Sequence, residues 1–439
     1  MNIQDFLNQH RFSPFQWGIF AFTFLIAFFD GYDTAVIGYI APSLMGEWGI
    51  ERADLAPVLS AALFGLAIGA MAFGPVADKI GRKKVLLLSV VIFAMGTLAS
   101  AFTNSLRELE ILRFITGLGL GAAMPNAVTL LSEYCPKQKR ALIVNTMFCG
   151  FPLGAATGGF IAAYLIPHYG WRSTLIFGGS IPLLLSLFML FYLPESVRFL
   201  IRKGGEQALT KMRGILQKID DSASRESHFT LDEGMVVTSQ KGLSLVLSRY
   251  YWQGSILLWI AYFMGLVIFY GVMNWMPTLF KEAAMPSGLA SIVTGLFALG
   301  GLGAIGNGWL MDRFNGTLLI AAFTALTSIS VALIGVMISL PLALLIAVII
   351  FAGIVMNTAQ SSLPALAAQF YPTEGRTTGV SMMLGIGRFG GIAGSFLVAE
   401  LIKNALTIQE IFYVLALPAL IAMACLLLKY AIYRRKAQH

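Results

Sequence analysis

The stretch FQWGIFAFTFLIAFFDGYDTAVIGYI, residues 15–40, is almost entirely apolar and yet contains two aspartates, Asp30 and Asp33. About twenty apolar residues are enough for a helix to cross a bilayer. A carboxylate at that depth costs roughly 2.5–3.5 kcal/mol on insertion scales, so the chain retains it only if it is neutralised, paired or used. The spacing of three places both on one helical face. The stretch predicts a membrane helix with a proton- or substrate-handling pair; the alternative is a structural pair bonded to neighbouring helices.

The rest of the chain repeats this apolar character. Hydrophobic residues make up 57% of the 439 residues and charged residues 12%, whereas a soluble protein has about 25% charged residues. We therefore predict an all-α polytopic membrane protein. The twelve apolar windows are 15–40, 54–76, 85–103, 107–131, 141–166, 173–194, 252–280, 289–311, 316–338, 342–369, 377–403 and 408–433.

Basic residues are distributed unevenly between the loops. Loops on the side of the two termini and of the central segment 195–250 have 23 lysines and arginines, and the opposite loops have 5. The positive-inside rule then places both termini and the central segment in the cytoplasm, in a bacterial-type inner membrane. Membrane topology accounts for the net charge of +8, so nucleic acid is not an expected partner.

Metal, redox and nucleotide chemistry have no counterpart in the sequence. Cys135, Cys149 and Cys425 are scattered, the four histidines lie in loops or at the termini, and no Walker loop occurs. We expect no metal, no cofactor and no enzymatic activity. The expected partners are a small substrate, protons and the lipid bilayer, and we expect a monomer.

The two halves of the chain resemble each other in sequence. GPVADKIG at 74–81 and GWLMDRFNG at 308–316 share Gly-x-x-x-Asp, and YCPKQKR at 134–140 is echoed by FYPTEGR at 370–376. In both matches the second motif follows the first by nearly the same number of residues. This internal repeat predicts two pseudosymmetric six-helix halves with a site between them. The predicted limits are 1–194 for the first half, 195–250 for a cytoplasmic linker and 251–439 for the second half.

Several of these motifs resemble those of a known family. GPVADKIGRKK at 74–84, LRFITGLGLGA at 112–122 and PESVRFL at 194–200 resemble signatures of the major facilitator superfamily. DGYD at 30–33 and YPTEGRTTGVSMMLGIGRFGG at 371–391 are similar to its aromatic acid:proton symporter branch. The resemblance covers essentially the whole chain. It implies the major facilitator fold, in which the eleventh helix faces the loop after the second.

A polar latch is expected at the end of the bundle nearest the linker. Asp78 is placed to cap a facing helix, and Arg82 and Lys83 are expected to reach carboxylates of the other half. Glu133 is predicted to pair with Arg82 or Arg140, in a gating pair or in proton transfer. The candidate gating residues are Gly74, Asp78, Gly81, Arg82, Glu133, Arg140, Asp312 and Arg376.

Two arginines lie inside predicted spans, and each needs an anion because a guanidinium does not readily lose its proton. For Arg113 the candidates are Asp30, Asp33 and the substrate carboxylate. Arg388 has no acidic residue within seven positions, so it is either the substrate anchor or part of a structural salt bridge. The full set of candidate substrate-binding residues is Tyr32, Arg113, Tyr270, Asn274, Asn357, Gln360 and Arg388.

These observations predict a proton symporter that imports aromatic carboxylates by rocking of its two halves around a central site. Asp30 and Asp33 are the candidates for proton coupling, and the sequence does not choose between them. Non-aromatic organic acids, such as a dicarboxylate or a hydroxylated ring acid, are the alternative substrates. A transporter-like chemoreceptor that binds without turnover is the alternative from another functional class.

Overall fold

The computed structural model describes residues 2–50, 52–225, 229, 242–283, 287–311, 313–338 and 341–436. Within these residues, twelve helices are long and apolar enough to cross a membrane, which confirms the predicted fold class. Their bounds are α1 Pro14–Trp48, α2 Ala56–Ile80, α3 Arg82–Ser100, α4 Leu106–Glu133, α5 Arg140–Phe148 and Gly150–Tyr169, α6 Arg172–Tyr192, α7 Trp252–Glu282, α8 Ser287–Leu299 and Gly303–Met311, α9 Gly316–Met337, α10 Leu342–Phe370, α11 Thr373–Lys403 and α12 Ile408–Lys436.

Shorter helices lie outside the bundle. They are the N-terminal helix Ile3–Gln9, the helices Val197–Lys203, Glu206–Gln217 and Leu243–Val246 of the segment between α6 and α7, and the 3₁₀ turns Arg52–Leu55, Lys137–Lys139 and Asp221–Arg225. We call the end of the bundle beside this segment the linker end. The limits 194 and 250 of the two halves remain predictions.

The packing repeats after six helices. In the first half α1 packs on α5, α2 on α4 and α3 on α6; in the second half α7 packs on α11, α8 on α10 and α9 on α12. Glycines permit the closest approach: a side chain at Gly154 would overlap the carbonyl of Phe28, and one at Gly390 would overlap the carbonyl of Phe263. Small residues of this kind are the usual means by which membrane helices approach each other.

The halves meet through α2 with α11 and through α5 with α8. Both α5 and α8 are interrupted at this interface, at Cys149 and at the 3₁₀ turn Gly300–Leu302. The two interruptions touch, because the Cys149 thiol lies 3.5 Å from the carbonyl of Gly301. The sequence windows predicted each of these helices as continuous, whereas the structure has these short interruptions where the two halves are in contact.

Candidate functional site

A fully buried ion pair lies inside the first half. Arg113 of α4 donates to both carboxylate oxygens of Asp33 of α1, at 2.9 and 2.5 Å. The hydroxyl of Thr97 in α3 donates to the same carboxylate at 2.6 Å. Both charged side chains are 2% exposed. This bidentate geometry with an extra donor offsets much of the desolvation cost of burying the two charged side chains.

A second, looser pair joins the two halves. Arg388 of α11 lies 3.8 Å from a carboxylate oxygen of Asp30 and donates to the hydroxyl of Tyr270 in α7 at 3.0 Å. Asp30 is completely buried, and neither of its carboxylate oxygens has a hydrogen-bond partner among the described residues. A buried carboxylate in this condition lacks the hydrogen bonds that would offset its desolvation.

A small cavity adjoins Arg113 and Tyr270. This cavity of about 30 Å³ is lined by Arg113, Tyr270 and Asn274 together with apolar side chains of α1, α2 and α4. This volume holds a water molecule but no aromatic ring. In this conformation the cavity therefore has no room for an aromatic ligand.

The other predicted substrate-binding residues have different surroundings. Asn274 donates to the Ser395 hydroxyl at 2.9 Å and lines the cavity. Gln360 donates to the backbone carbonyl of Tyr262. The side chain of Tyr262 in turn lies close enough to Arg388 to interact with it electrostatically. The structure therefore brings Asp30, Asp33, Arg113, Arg388, Tyr270 and Asn274 together, with Gln360 one contact away.

Two predicted residues lie apart from this group. The Tyr32 hydroxyl donates to the carbonyl of Thr174 at 2.9 Å and holds α1 against α6. The Asn357 amide donates to the carbonyls of Phe297 and Gly353, at 3.0 and 2.9 Å, and holds α10 against α8. Both side chains have contacts that explain them without a ligand.

Polar side chains at the linker end form a network within the first half. Arg82 pairs with Glu133 at 2.8 Å. This is one of the two pairings predicted for Glu133, the other being with Arg140. Glu133 also accepts a short hydrogen bond from the Ser196 hydroxyl. Among the described residues the carboxylate that Arg82 reaches is that of Glu133 on the adjoining α4, and its expected contact with carboxylates of the other half stays a prediction.

Glu195 is the residue that sequence reasoning missed here. Its carboxylate accepts from the backbone N–H groups of Arg82 and Lys83, at 2.9 and 3.0 Å, and so caps the positive start of α3. The hydroxyl of Tyr134 donates to the carbonyl of Glu195 at 2.6 Å. Burial raises the pKa of Tyr134 well above its ordinary value, so this hydroxyl stays protonated and remains a donor.

Two of the candidate gating residues are glycines with different amounts of space around them. Gly81 has φ of +102°, and a side chain there would overlap the Glu195 carboxylate. Gly74 lies at the contact between the halves, where a Cβ would approach the hydroxyl of Ser381 to 3.5 Å.

The remaining gating candidates divide into two groups. Arg140 donates to Gln4 of the N-terminal helix at 2.6 Å. Asp312 and the side chains of Asp78 and Arg376 lie outside the described residues, so their gating roles stay predictions.

Comparison with known proteins agrees with this architecture. The sequence matches the Major Facilitator Superfamily over residues 23–341 and 285–438. It is 45% identical to the 4-hydroxybenzoate transporter PcaK of Pseudomonas aeruginosa, over 98% of this chain and 96% of that protein. It is also 43% identical to a gallate transporter of Pseudomonas putida (97% and 94%) and 32% identical to a benzoate transport protein of Acinetobacter baylyi (98% and 92%).

Among solved structures, the proton:xylose symporter XylE bound to 6-bromo-6-deoxy-D-glucose has a TM-score of 0.74 at 19% identity, covering 93% of this chain and 94% of that one. At this identity the likeness concerns the fold alone. The family match and the identities of the relatives decide the affiliation. The chain belongs to the major facilitator superfamily, in the branch that contains these aromatic acid transporters, and it is a transporter rather than an enzyme.

Proposed function

We propose that this protein imports small aromatic carboxylates, of the benzoate or hydroxybenzoate kind, by proton symport. The observation that carries the proposal is the incomplete pair of Asp30 and Arg388. It joins the two halves at the middle of the bundle, and Asp30 lacks hydrogen bonds there. The relatives named above transport 4-hydroxybenzoate, gallate and benzoate, which supports an aromatic acid as the substrate.

The two ion pairs are suited to different tasks. Asp33 and Arg113 both belong to the first half and hold each other through two hydrogen bonds, so they move as one body when the halves rock. Asp30 and Arg388 belong to opposite halves, so rocking changes their separation. A pair of this second kind connects a protonation event to a conformational change, because its attraction depends on both.

The substrate fits this arrangement. When Asp30 takes up a proton, its negative charge disappears and the Arg388 guanidinium is left without a counterion. The carboxylate of an aromatic acid then replaces it, in the bidentate geometry that guanidinium favours. Tyr270, already in contact with Arg388, would orient the ring. One proton and one monovalent anion cross together without net charge, so the pH gradient drives uptake.

We infer alternating access by rocking of the halves, which the small volume of the central cavity supports. The cavity of about 30 Å³ has to enlarge on one side at a time for the substrate to enter and leave. We place the linker end and both termini on the cytoplasmic side of a bacterial-type inner membrane, because the loops there hold most of the basic residues.

The test is uptake of labelled 4-hydroxybenzoate into proteoliposomes with an acidic exterior. Wild type should accumulate substrate against its gradient, and collapse of the pH gradient should abolish accumulation. Asp30→Asn should lose accumulation but keep exchange of internal for external substrate. Asp5→Asn, in the N-terminal helix outside the bundle, is the matched control and should accumulate normally. Full pH-driven accumulation by Asp30→Asn would exclude Asp30 as the proton carrier.

The same vesicles separate the alternatives. Binding of the acid without accumulation would identify a chemoreceptor. Stronger competition by cyclohexanecarboxylate or succinate than by benzoate would identify a transporter of non-aromatic acids. Either result would overturn the proposed substrate class.

A further inference from the structure

A cavity of about 370 Å³ lies at the linker end, far from the central ion pairs. It is formed where α9 begins and α12 ends. The linker is adjacent, because the Tyr433 hydroxyl donates to the carbonyl of Tyr250 at 2.6 Å. The residues that line the cavity are Asn315, Thr317, Lys429, Tyr430, Tyr433 and Arg434.

Lys429 is a buried cation that lines this cavity. The residue is 5% exposed, and its ammonium lies 4.5 Å from the ring centroid of Phe370 and 6.0 Å from that of Tyr433. Among the described residues its ammonium has these ring contacts and no hydrogen bond or ion pair. Ring faces attract an ammonium but leave its three N–H donors unused. A buried cation in this state calls for an anion.

The neighbouring helix end adds to the positive potential. α9 starts at Gly316, and the Asn315 side chain caps it by accepting from the N–H groups of Thr317 and Leu318. In the first half the start of α3 meets the carboxylate of Glu195, which follows α6. The corresponding place beside α9 has Lys429 and Arg434 on α12 instead. A helix start and two cations thus converge on a cavity that has no carboxylate among its described lining residues.

We propose that this cavity binds a phosphate-bearing anion, with Lys429 and Arg434 donating to the phosphate oxygens. The surroundings favour the headgroup of an anionic phospholipid as its source. Exposed apolar side chains are sequence neighbours of the lining residues, among them Phe314 at 63%, just before α9, and Leu428 at 52%, on α12, and they offer a surface for acyl chains. Basic pockets between membrane helices at the cytoplasmic face are suited to such headgroups.

The experiment measures the thermal unfolding midpoint of the purified full-length protein in detergent during lipid titration. Phosphatidylglycerol should raise the midpoint in a saturable way, because a ligand that binds the folded state stabilises it. Phosphatidylcholine should not. Lys429→Met and Arg434→Gln should each weaken the apparent affinity about tenfold or more, the loss expected when a charge-assisted hydrogen bond disappears. Arg435→Gln, an exposed neighbour outside the cavity, is the matched control and should behave as wild type.

Inorganic phosphate alone distinguishes the two sources of the anion. If phosphate produces the full saturable shift and Lys429→Met abolishes it, the site is confirmed and its ligand is a soluble phosphate. An equal response to phosphatidylglycerol in wild type, Lys429→Met and Arg434→Gln would overturn the proposal. Arg434 is exposed, so its variant keeps the test valid if Lys429→Met does not fold.

A carboxylate of the protein itself could occupy the cavity in place of an external phosphate, and a separate variant tests for this. Asp312 is the carboxylate nearest to Asn315 in sequence and lies outside the described residues. If Asp312 supplies the anion, wild type should not respond to phosphatidylglycerol and Asp312→Asn should. That pattern would also overturn the proposal.

Discussion

Asp33→Asn should destabilise the protein more than any other single change in the central site. Arg113 donates to both oxygens of Asp33, and both side chains are 2% exposed. An asparagine leaves the guanidinium buried without its counterion, and such a loss costs about 3–5 kcal/mol of unfolding free energy. Asp30→Asn should cost less, because Asp30 has no hydrogen bond to lose and Arg388 keeps the Tyr270 hydroxyl.

A double-mutant cycle isolates this pair. Adding Arg113→Met to Asp33→Asn removes the stranded charge, so the double variant should recover most of the lost stability and the effects of the two substitutions should not add. The assay is the thermal unfolding midpoint in detergent, with monodispersity checked by gel filtration. Additive effects of the two substitutions, or a larger loss in Asp30→Asn than in Asp33→Asn, would refute the assignment of the tight pair.

Two further substitutions test the anchor and the latch. Arg388→Lys keeps the charge but loses the planar fork, so calorimetry should show a larger loss of affinity for an aromatic acid than for its amide; an unchanged acid-to-amide ratio would exclude Arg388 as the anchor and leave Arg113. Gly81→Ala forces a side chain to φ of +102° and into the Glu195 carboxylate, so uptake should slow while binding persists. Gly204→Ala, at φ of +65° with open space around it, controls for backbone strain alone, and equal effects of the two glycine variants would contradict the latch.

The sequence was sufficient for the fold because the bilayer imposes one simple demand on it. Each span needs an apolar stretch, and the predicted windows therefore lie close to the observed helices. The ends differ where helices extend into polar surroundings. The window 15–40 stops well before Trp48, the last residue of α1, because residues 41–48 continue the helix beyond the apolar stretch until Gly49, at φ of +63°, terminates it.

The ion pairs were only half predictable. A buried arginine needs an anion, so the presence of partners for Arg113 and Arg388 could be expected from the sequence. The choice between the two aspartates could not, because Asp30 and Asp33 share a helical face while their partners come from opposite halves. Thr97 was missed for a similar reason: a threonine in an apolar span usually bonds to its own helix, and only tertiary packing brings it to Asp33.

The asymmetry between the two pairs leads to a thermodynamic requirement of the proposed mechanism. If a substrate carboxylate replaces Asp30 as the counterion of Arg388, binding of the acid must be accompanied by uptake of a proton at Asp30. Reciprocity of linked equilibria then demands that protons increase the affinity for the acid by the same factor. A neutral amide does not replace Asp30 as the counterion of Arg388, so its binding should not be linked to proton uptake. Proton uptake on binding, measured in two buffers of different ionisation enthalpy, should therefore appear with the acid, vanish with the amide and vanish with both ligands in Asp30→Asn.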